Sequence, residues 1–105
     1  MIKQLIVPAL LLYAANSFAE STFETCDLIE EMAESVMTTR QNGGTMRGFL
    51  KIAEGIDDIK VKNLTIRIIE NAFEKTRWNT ESSKTREIED FKEYWYKSCY
   101  RSLKK

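Results

Sequence analysis

The sequence has 105 residues with 16 basic and 16 acidic side chains, so its formal net charge is zero, and it contains no histidine. A balanced charge does not favour nucleic-acid binding through bulk electrostatic attraction. The lack of histidine removes the side chain on which most nucleophilic triads and proton shuttles depend. The composition therefore points away from the commonest catalytic classes.

The first 19 residues have the pattern of a secretory signal peptide. Lys3 supplies a positive charge, an apolar run covers residues 5–15, and Ser17 and Ala19 are small residues placed for a cut after Ala19. The run is shorter than the roughly 20 apolar residues of a membrane span. We expect cleavage, a periplasmic or secreted product, no stable membrane insertion and a single domain over residues 20–105. An uncleaved N-terminal anchor is the alternative.

Two cysteines, Cys26 and Cys99, lie near the two ends of the expected mature domain. An exported chain with an even number of cysteines is typically disulfide-bonded. A domain of this size also has a marginal hydrophobic core, which a covalent cross-link supplements. We expect one intramolecular disulfide between the two residues, with an intermolecular bridge or two free thiols as the alternatives.

The first predicted helix begins with a capping box formed by Ser21 and Glu24. The glycines at 43 and 44 end it, because glycine adopts the left-handed conformation after a helix. Between these signals, apolar residues recur at three- and four-residue steps, which is typical of an amphipathic helix of about five turns. They are Phe23, Cys26, Ile29, Met32, Ala33, Val36 and Met37.

Thr45 is expected to cap a short second helix that Gly55 ends. A third helix is expected to begin at Asp57 or Asp58, since acidic residues suit a helix N-terminus. The β-branched residues that follow mildly favour a strand. The three- and four-residue spacing of the apolar positions fits a helix better, and a polar connection over residues 75–83 follows it.

The last predicted helix begins at Thr80 with Glu81, or alternatively at Ser83. Its apolar stripe has near-helical spacing and comprises Ile88, Phe91, Trp95, Cys99 and Leu103.

The expected disulfide orders these helices, because its two Cα atoms must lie within about 7 Å. The start of the first helix must then meet the end of the last. The sequence predicts an all-α fold, a small bundle of three to four helices with the first and last antiparallel. Acids of residues 20–34 would then face bases of residues 94–105, each surface pair contributing about 0–1 kcal/mol.

No catalytic, cofactor-binding or metal-binding residue is predicted. Oxidised cysteines are not nucleophiles, and a zinc site would need further Cys or His ligands. Asp57 with Asp58, and Glu30 with Glu31 and Glu34, are paired carboxylates of the kind that glycoside hydrolases use. A helix start and a solvated helix face explain these two groups better than catalysis does.

Six side chains form the candidate interaction surface, because Trp, Tyr and Arg are common anchors of protein interfaces. Trp78 lies in the polar connection, where it either faces a partner or folds back over the end of the bundle. Two tyrosines flank Trp95 and cannot both point inward with it, so at least one is expected to be exposed. The candidate residues are Arg40, Gln41, Arg77, Trp78, Tyr94 and Tyr96.

Four short motifs are spread over most of the expected mature chain: the early Cys26, the turn at residues 40–43, the connection at Arg77-Trp78 and the late Cys99-Tyr100. Together they resemble a group of short exported proteins of bacteriophages, prophages and proteobacteria that have no assigned activity. The resemblance implies a periplasmic location and a helical fold. It brings no catalytic residue and no cofactor to this chain.

The leading hypothesis is a non-catalytic periplasmic protein that binds another periplasmic or envelope protein. If a phage encodes it, lysis control, superinfection exclusion and inhibition of a cell-wall enzyme are the expected roles. A small periplasmic stress chaperone is the alternative from a second class. A carboxylate-based cell-wall hydrolase is the third. The sequence predicts neither the partner's identity nor the oligomeric state.

Overall fold

The structure is a computed structural model that describes residues 23–104. The signal peptide predicted over residues 1–19 and the cap predicted at Ser21 lie outside the described residues. Residues 23–104 form helices and connections without a strand, which confirms the predicted all-α fold. The helices are α1 over residues 23–41, α2 over Met46–Glu54, α3 over Ile59–Phe73 and α4 over Glu81–Lys104.

Single residues set the boundary between α1 and α2, as the sequence indicated. Gly43 adopts a positive φ of 89° just after α1, and its N–H donates to the carbonyl of Arg40 at 3.2 Å. Thr45 then caps α2, because its Oγ1 accepts the N–H of Gly48 at 3.2 Å. This satisfies one of the backbone donors that every helix start leaves without a partner.

The starts of α3 and α4 also carry side-chain caps. One carboxylate oxygen of Asp58 accepts the N–H of Lys60 at 2.8 Å and that of Val61 at 3.1 Å, which selects Asp58 over Asp57. The Oγ1 of Thr80 accepts the N–H of Ser83 at 3.2 Å. The last helix therefore begins behind a Thr80 cap, and the alternative start at Ser83 is wrong.

Helices α1 and α4 pack against each other in opposite directions. The disulfide between Cys26 and Cys99 joins the start of α1 to the end of α4, with their Cα atoms 5.5 Å apart. Farther along, Lys92 lies 3.7 Å from a carboxylate oxygen of Glu34. The predicted antiparallel arrangement is confirmed. This cross-helix ion pair uses a lysine just before the basic segment 94–105 that the sequence singled out.

Helix α3 runs in the same direction as α1 and completes the bundle. Ile29 and Leu64, near the starts of the two helices, line one cavity. At the other end, the guanidinium of Arg40 lies 5.4 Å from the ring centroid of Phe73. In the short α2, Ala53 is fully buried, and Met46, Phe49 and Leu50 pack against the core while partly exposed. The core consists of Ile29, Ala33, Val36, Met37, Ala53, Ile68, Ile69, Ala72, Phe91 and Trp95.

Two residues of the apolar stripes predicted for the first and last helices are exposed. Phe23 is 54% exposed and Leu103 is 47% exposed. Both occupy the terminal turn of their helix in the described part of the chain, where no further turn covers them. Phe23 instead stacks on Tyr100, with the ring centroids 6.1 Å apart. None of the helices within residues 23–104 combines the length and apolar character that crossing a membrane requires.

Candidate interaction surface

Gln41 lies inside the protein, so its assignment to an interaction surface is wrong. Its side chain is fully buried at the end of α1. Its Nε2 donates to the carbonyl of Thr76 at 2.8 Å and contacts the Sδ of Met37 at 3.4 Å. Its Oε1 accepts the backbone N–H of Trp78 at 2.9 Å. Because both its nitrogen and its oxygen have hydrogen-bond partners, this buried amide holds the α3–α4 connection and is not accessible to another protein.

The two predicted arginines serve the same connection. Nε and Nη2 of Arg40 donate to the carbonyl of Lys75 at 3.2 and 2.9 Å. Nε of Arg77 donates in return to the carbonyl of Gln41 at 3.3 Å. We call Arg40, Gln41 and Arg77 the connection clamp, because together they join the end of α1 to the segment between α3 and α4.

Trp78 is both folded back and exposed. Its backbone is fixed by Gln41, and its indole Nε1 donates to Oε1 of Glu87 on α4 at 3.0 Å. The residue nevertheless remains 42% exposed. It borders a cavity of about 200 Å³ that is also lined by Arg86 and Asp90. The indole is therefore a surface group, held by one hydrogen bond of its own and by a second hydrogen bond that fixes the backbone carrying it.

The two predicted tyrosines lie on different sides of α4. Tyr94 is 58% exposed and borders a groove that α4 shares with Glu70 and Glu74 near the end of α3. Tyr96 is half-buried on the side that faces α1. There, burial raises the pKa of its phenol above the usual range, and the carboxylates of Asp27 and Glu30 raise it further. The six candidate residues thus do not form one surface.

Trp78 and Tyr94 do belong to one face, together with carboxylates that the sequence analysis missed. Glu87, Asp90 and Tyr94 follow one another on α4 at steps of three and four residues, which places them on the same side of the helix. Glu74, the C-cap of α3, lines the same groove as Tyr94. We define the aromatic–acidic face as Trp78, Glu74, Glu87, Asp90 and Tyr94. The helical spacing of residues 87, 90 and 94 is the sequence feature from which this face could have been predicted.

This face is suited to binding cations. The rings of Trp and Tyr attract a Lys or Arg side chain placed over them, and a carboxylate can accept charge-assisted hydrogen bonds from the same side chain. Arg67 and Arg86 line the two concave regions at its borders. Within residues 23–104, no group of three or more Cys, His, Asp or Glu side chains is arranged to hold a metal ion.

Comparison of the chain with protein-family models, curated proteins and solved structures found no match. The resemblance to short exported phage and proteobacterial proteins therefore stays a prediction that rests on four motifs. The structure does bring these motifs together in pairs. The clamp joins the turn at residues 40–43 to Arg77 and Trp78, and the disulfide joins Cys26 to Cys99.

Proposed function

We propose that this chain is an exported, non-catalytic binding protein whose aromatic–acidic face docks a basic segment of another periplasmic or envelope protein. The observation that carries the proposal is the position of Trp78, whose backbone is fixed by Gln41 and whose exposed indole is held by Glu87. An aromatic side chain that is already ordered loses little conformational entropy when a partner binds. Such residues are the common energetic centres of protein interfaces.

The charges around the two aromatic rings select the partner's chemistry. The two concave regions are bordered by four carboxylates and only two guanidinium groups. The carboxylates are those of Glu70, Glu74, Glu87 and Asp90, and the guanidinium groups are those of Arg67 and Arg86. The local excess of negative charge attracts a segment rich in Lys or Arg and repels an acidic one. A cationic side chain between the rings would gain cation–π attraction and a carboxylate partner at once.

Two features of the chain support the proposed location, one in its sequence and one in its structure. The signal-like N-terminal sequence directs export. The intramolecular disulfide is typical of proteins that fold in oxidising compartments. If a phage encodes the chain, docking of this kind fits lysis control, superinfection exclusion or inhibition of a cell-wall enzyme, because each requires binding without turnover.

A capture experiment with matched variants tests the proposal. Purified disulfide-bonded protein is immobilised as wild type, Trp78→Ala and Phe23→Ala, and each is incubated with periplasmic extract. Phe23→Ala removes an aromatic ring that is also exposed but lies at the disulfide end. We expect one basic protein to be retained by wild type and Phe23→Ala, released as salt rises, and lost with Trp78→Ala.

The retained protein is then purified and its affinity measured for Glu87→Gln and Asp90→Asn. Removing one charged partner at an interface weakens binding by about tenfold or more. Equal retention by Trp78→Ala and wild type would contradict the proposal, as would a partner with an acidic contact segment. Retention of many unrelated unfolded proteins, independent of Trp78, would favour the chaperone class instead.

A further inference from the structure

A third concave region lies at the opposite end of the bundle from Trp78. It is a cavity of about 200 Å³ beside the disulfide, between α1, α3 and α4. Each of these helices contributes apolar side chains to its wall, namely Ile29, Leu64, Trp95 and Leu103. An apolar cavity of about 150 Å³ is large enough to bind benzene. This one therefore has room for a single hydrocarbon tail of about eight carbons, and not for the two chains of a phospholipid.

The rim of this cavity is polar and positively charged. Arg67 of α3 and the hydroxyls of Ser98 and Ser102 on α4 line it, and no carboxylate does. Arg67 is exposed, and its side chain forms no hydrogen bond or ion pair with another of the described residues. Glu70 and Glu74 share the neighbouring groove with Arg67 and lie outside the cavity wall.

We infer that this cavity binds a medium-chain fatty acid. The hydrocarbon tail lies among the four apolar side chains, and the carboxylate pairs with Arg67 at the rim. A guanidinium can hold a carboxylate by two parallel hydrogen bonds, and bonds between charged groups are about twice as strong as neutral ones. The combination of one cation, nearby hydroxyls and an apolar interior matches an anion with a single tail. Arg67 and Trp95 also line the neighbouring groove beside Tyr94, whereas Trp78, Glu87 and Asp90 do not line this cavity.

The chain contains its own reporter for this ligand. It has two tryptophans, and Trp95 lines the cavity while Trp78 lies at the far end of the bundle. Trp78→Phe leaves Trp95 as the single indole and serves as the reference protein. Titration with octanoate that carries bromine at its tail should quench Trp95 fluorescence and reach saturation below the micellar concentration.

Three variants in this background separate specific binding from simple partitioning. Arg67→Gln should weaken binding about tenfold or more, because it removes the charged partner of the carboxylate. Arg47→Gln, an exposed arginine of α2, should leave the affinity unchanged. Ser102→Phe should abolish quenching by filling the mouth of the cavity, at an exposed position where folding tolerates the larger side chain.

The inference is overturned if quenching fails to saturate, if Arg67→Gln binds as tightly as the reference, or if brominated octanol binds as tightly as the acid. Failure of the capture experiment at Trp78 leaves these readouts unaffected, since they depend on Trp95 alone.

Discussion

The side-chain oxygen of Gln41 accepts the backbone N–H of Trp78 at 2.9 Å, across 37 residues of sequence. This bond fixes the α3–α4 connection to the end of α1, while the disulfide fixes the end of α4 to the start of α1. Helix α1 is thereby held at both of its ends. The same bond fixes the backbone that carries the exposed indole on which the proposed function depends.

Gln41→Ala is expected to lower the free energy of unfolding by about 2–4 kcal/mol. The substitution opens a cavity at the buried Gln41 side chain and leaves the backbone N–H of Trp78 and the carbonyl of Thr76 without their partner. Urea denaturation measures the change, with Asn42→Ala, an exposed neighbour, as the control expected to stay within about 0.5 kcal/mol of wild type. A comparably small loss of unfolding free energy for Gln41→Ala would show that the connection clamp contributes little to stability.

The sequence predicted those features that depend on neighbours along the chain. Thr45, Asp58 and Thr80 cap helices because their side chains reach a backbone N–H two or three residues away. The pairing of Cys26 with Cys99 then sufficed to order α1 against α4, since the chain offers no third cysteine. These inferences needed only local geometry and a single covalent constraint.

The role of Gln41 was not predictable in the same way. Its partners lie 35 and 37 residues away, and nothing local distinguishes a buried glutamine from an exposed one. Tyr94 and Tyr96 illustrate a related difficulty. They are two residues apart on a helix and must point in different directions, but the side facing α1 is decided only by how three helices pack. The fold thus followed from local signals, while the candidate site depended on tertiary contacts.

Two glycines are expected to respond in opposite ways to replacement by alanine. Gly43 has a φ of 89°, and a Cβ there would lie 2.8 Å from Nη2 of Arg77, so Gly43→Ala should cost about 1–3 kcal/mol. Gly48 lies inside α2, where a Cβ would meet only the Oγ1 of Thr45 at 3.4 Å. Gly48→Ala should stabilise the protein by about 0.5–1 kcal/mol, because alanine has the higher helix propensity.

Urea denaturation of the two glycine variants checks this pair of predictions. Changes of the same sign would contradict it, because alanine introduces backbone strain at residue 43 and reduces the backbone entropy of the unfolded chain at residue 48.

Loss of the disulfide is expected to lower the melting temperature by about 15–30 °C. Closing a loop over 73 residues stabilises the folded state by about 4 kcal/mol in the chain-entropy model, and each kcal/mol shifts the melting temperature by about 4–8 °C in a domain of this size. Circular dichroism of the Cys26→Ala/Cys99→Ala double variant measures the shift. Reductant should lower the wild-type value and leave the double variant unchanged. A shift below about 5 °C would mean that the other contacts hold α1 and α4 together without the bridge.

Tyr96 should report the contact between α4 and the acidic start of α1 through its titration. Burial raises the pKa of the phenol, with Asp27 and Glu30 adding to the effect, so the folded protein holds this proton more tightly than the unfolded chain does. The resulting stability is fully present below pH about 10, the ordinary tyrosine pKa, and is lost as pH rises through the higher folded pKa.

The tyrosinate absorbance of wild type minus that of Tyr96→Phe isolates this group from the other tyrosines. We expect the difference to titrate above pH about 10 and to move toward that value in Asp27→Asn, which removes one of the charges that raise the pKa. Asp57→Asn, in the exposed connection between α2 and α3, is the matched control and should leave the midpoint unchanged. A midpoint at or below the ordinary value, or an equal shift in both variants, would place Tyr96 away from the acidic face of α1. Tyr96→Phe should correspondingly flatten the fall in stability at alkaline pH, because phenylalanine has no proton to lose.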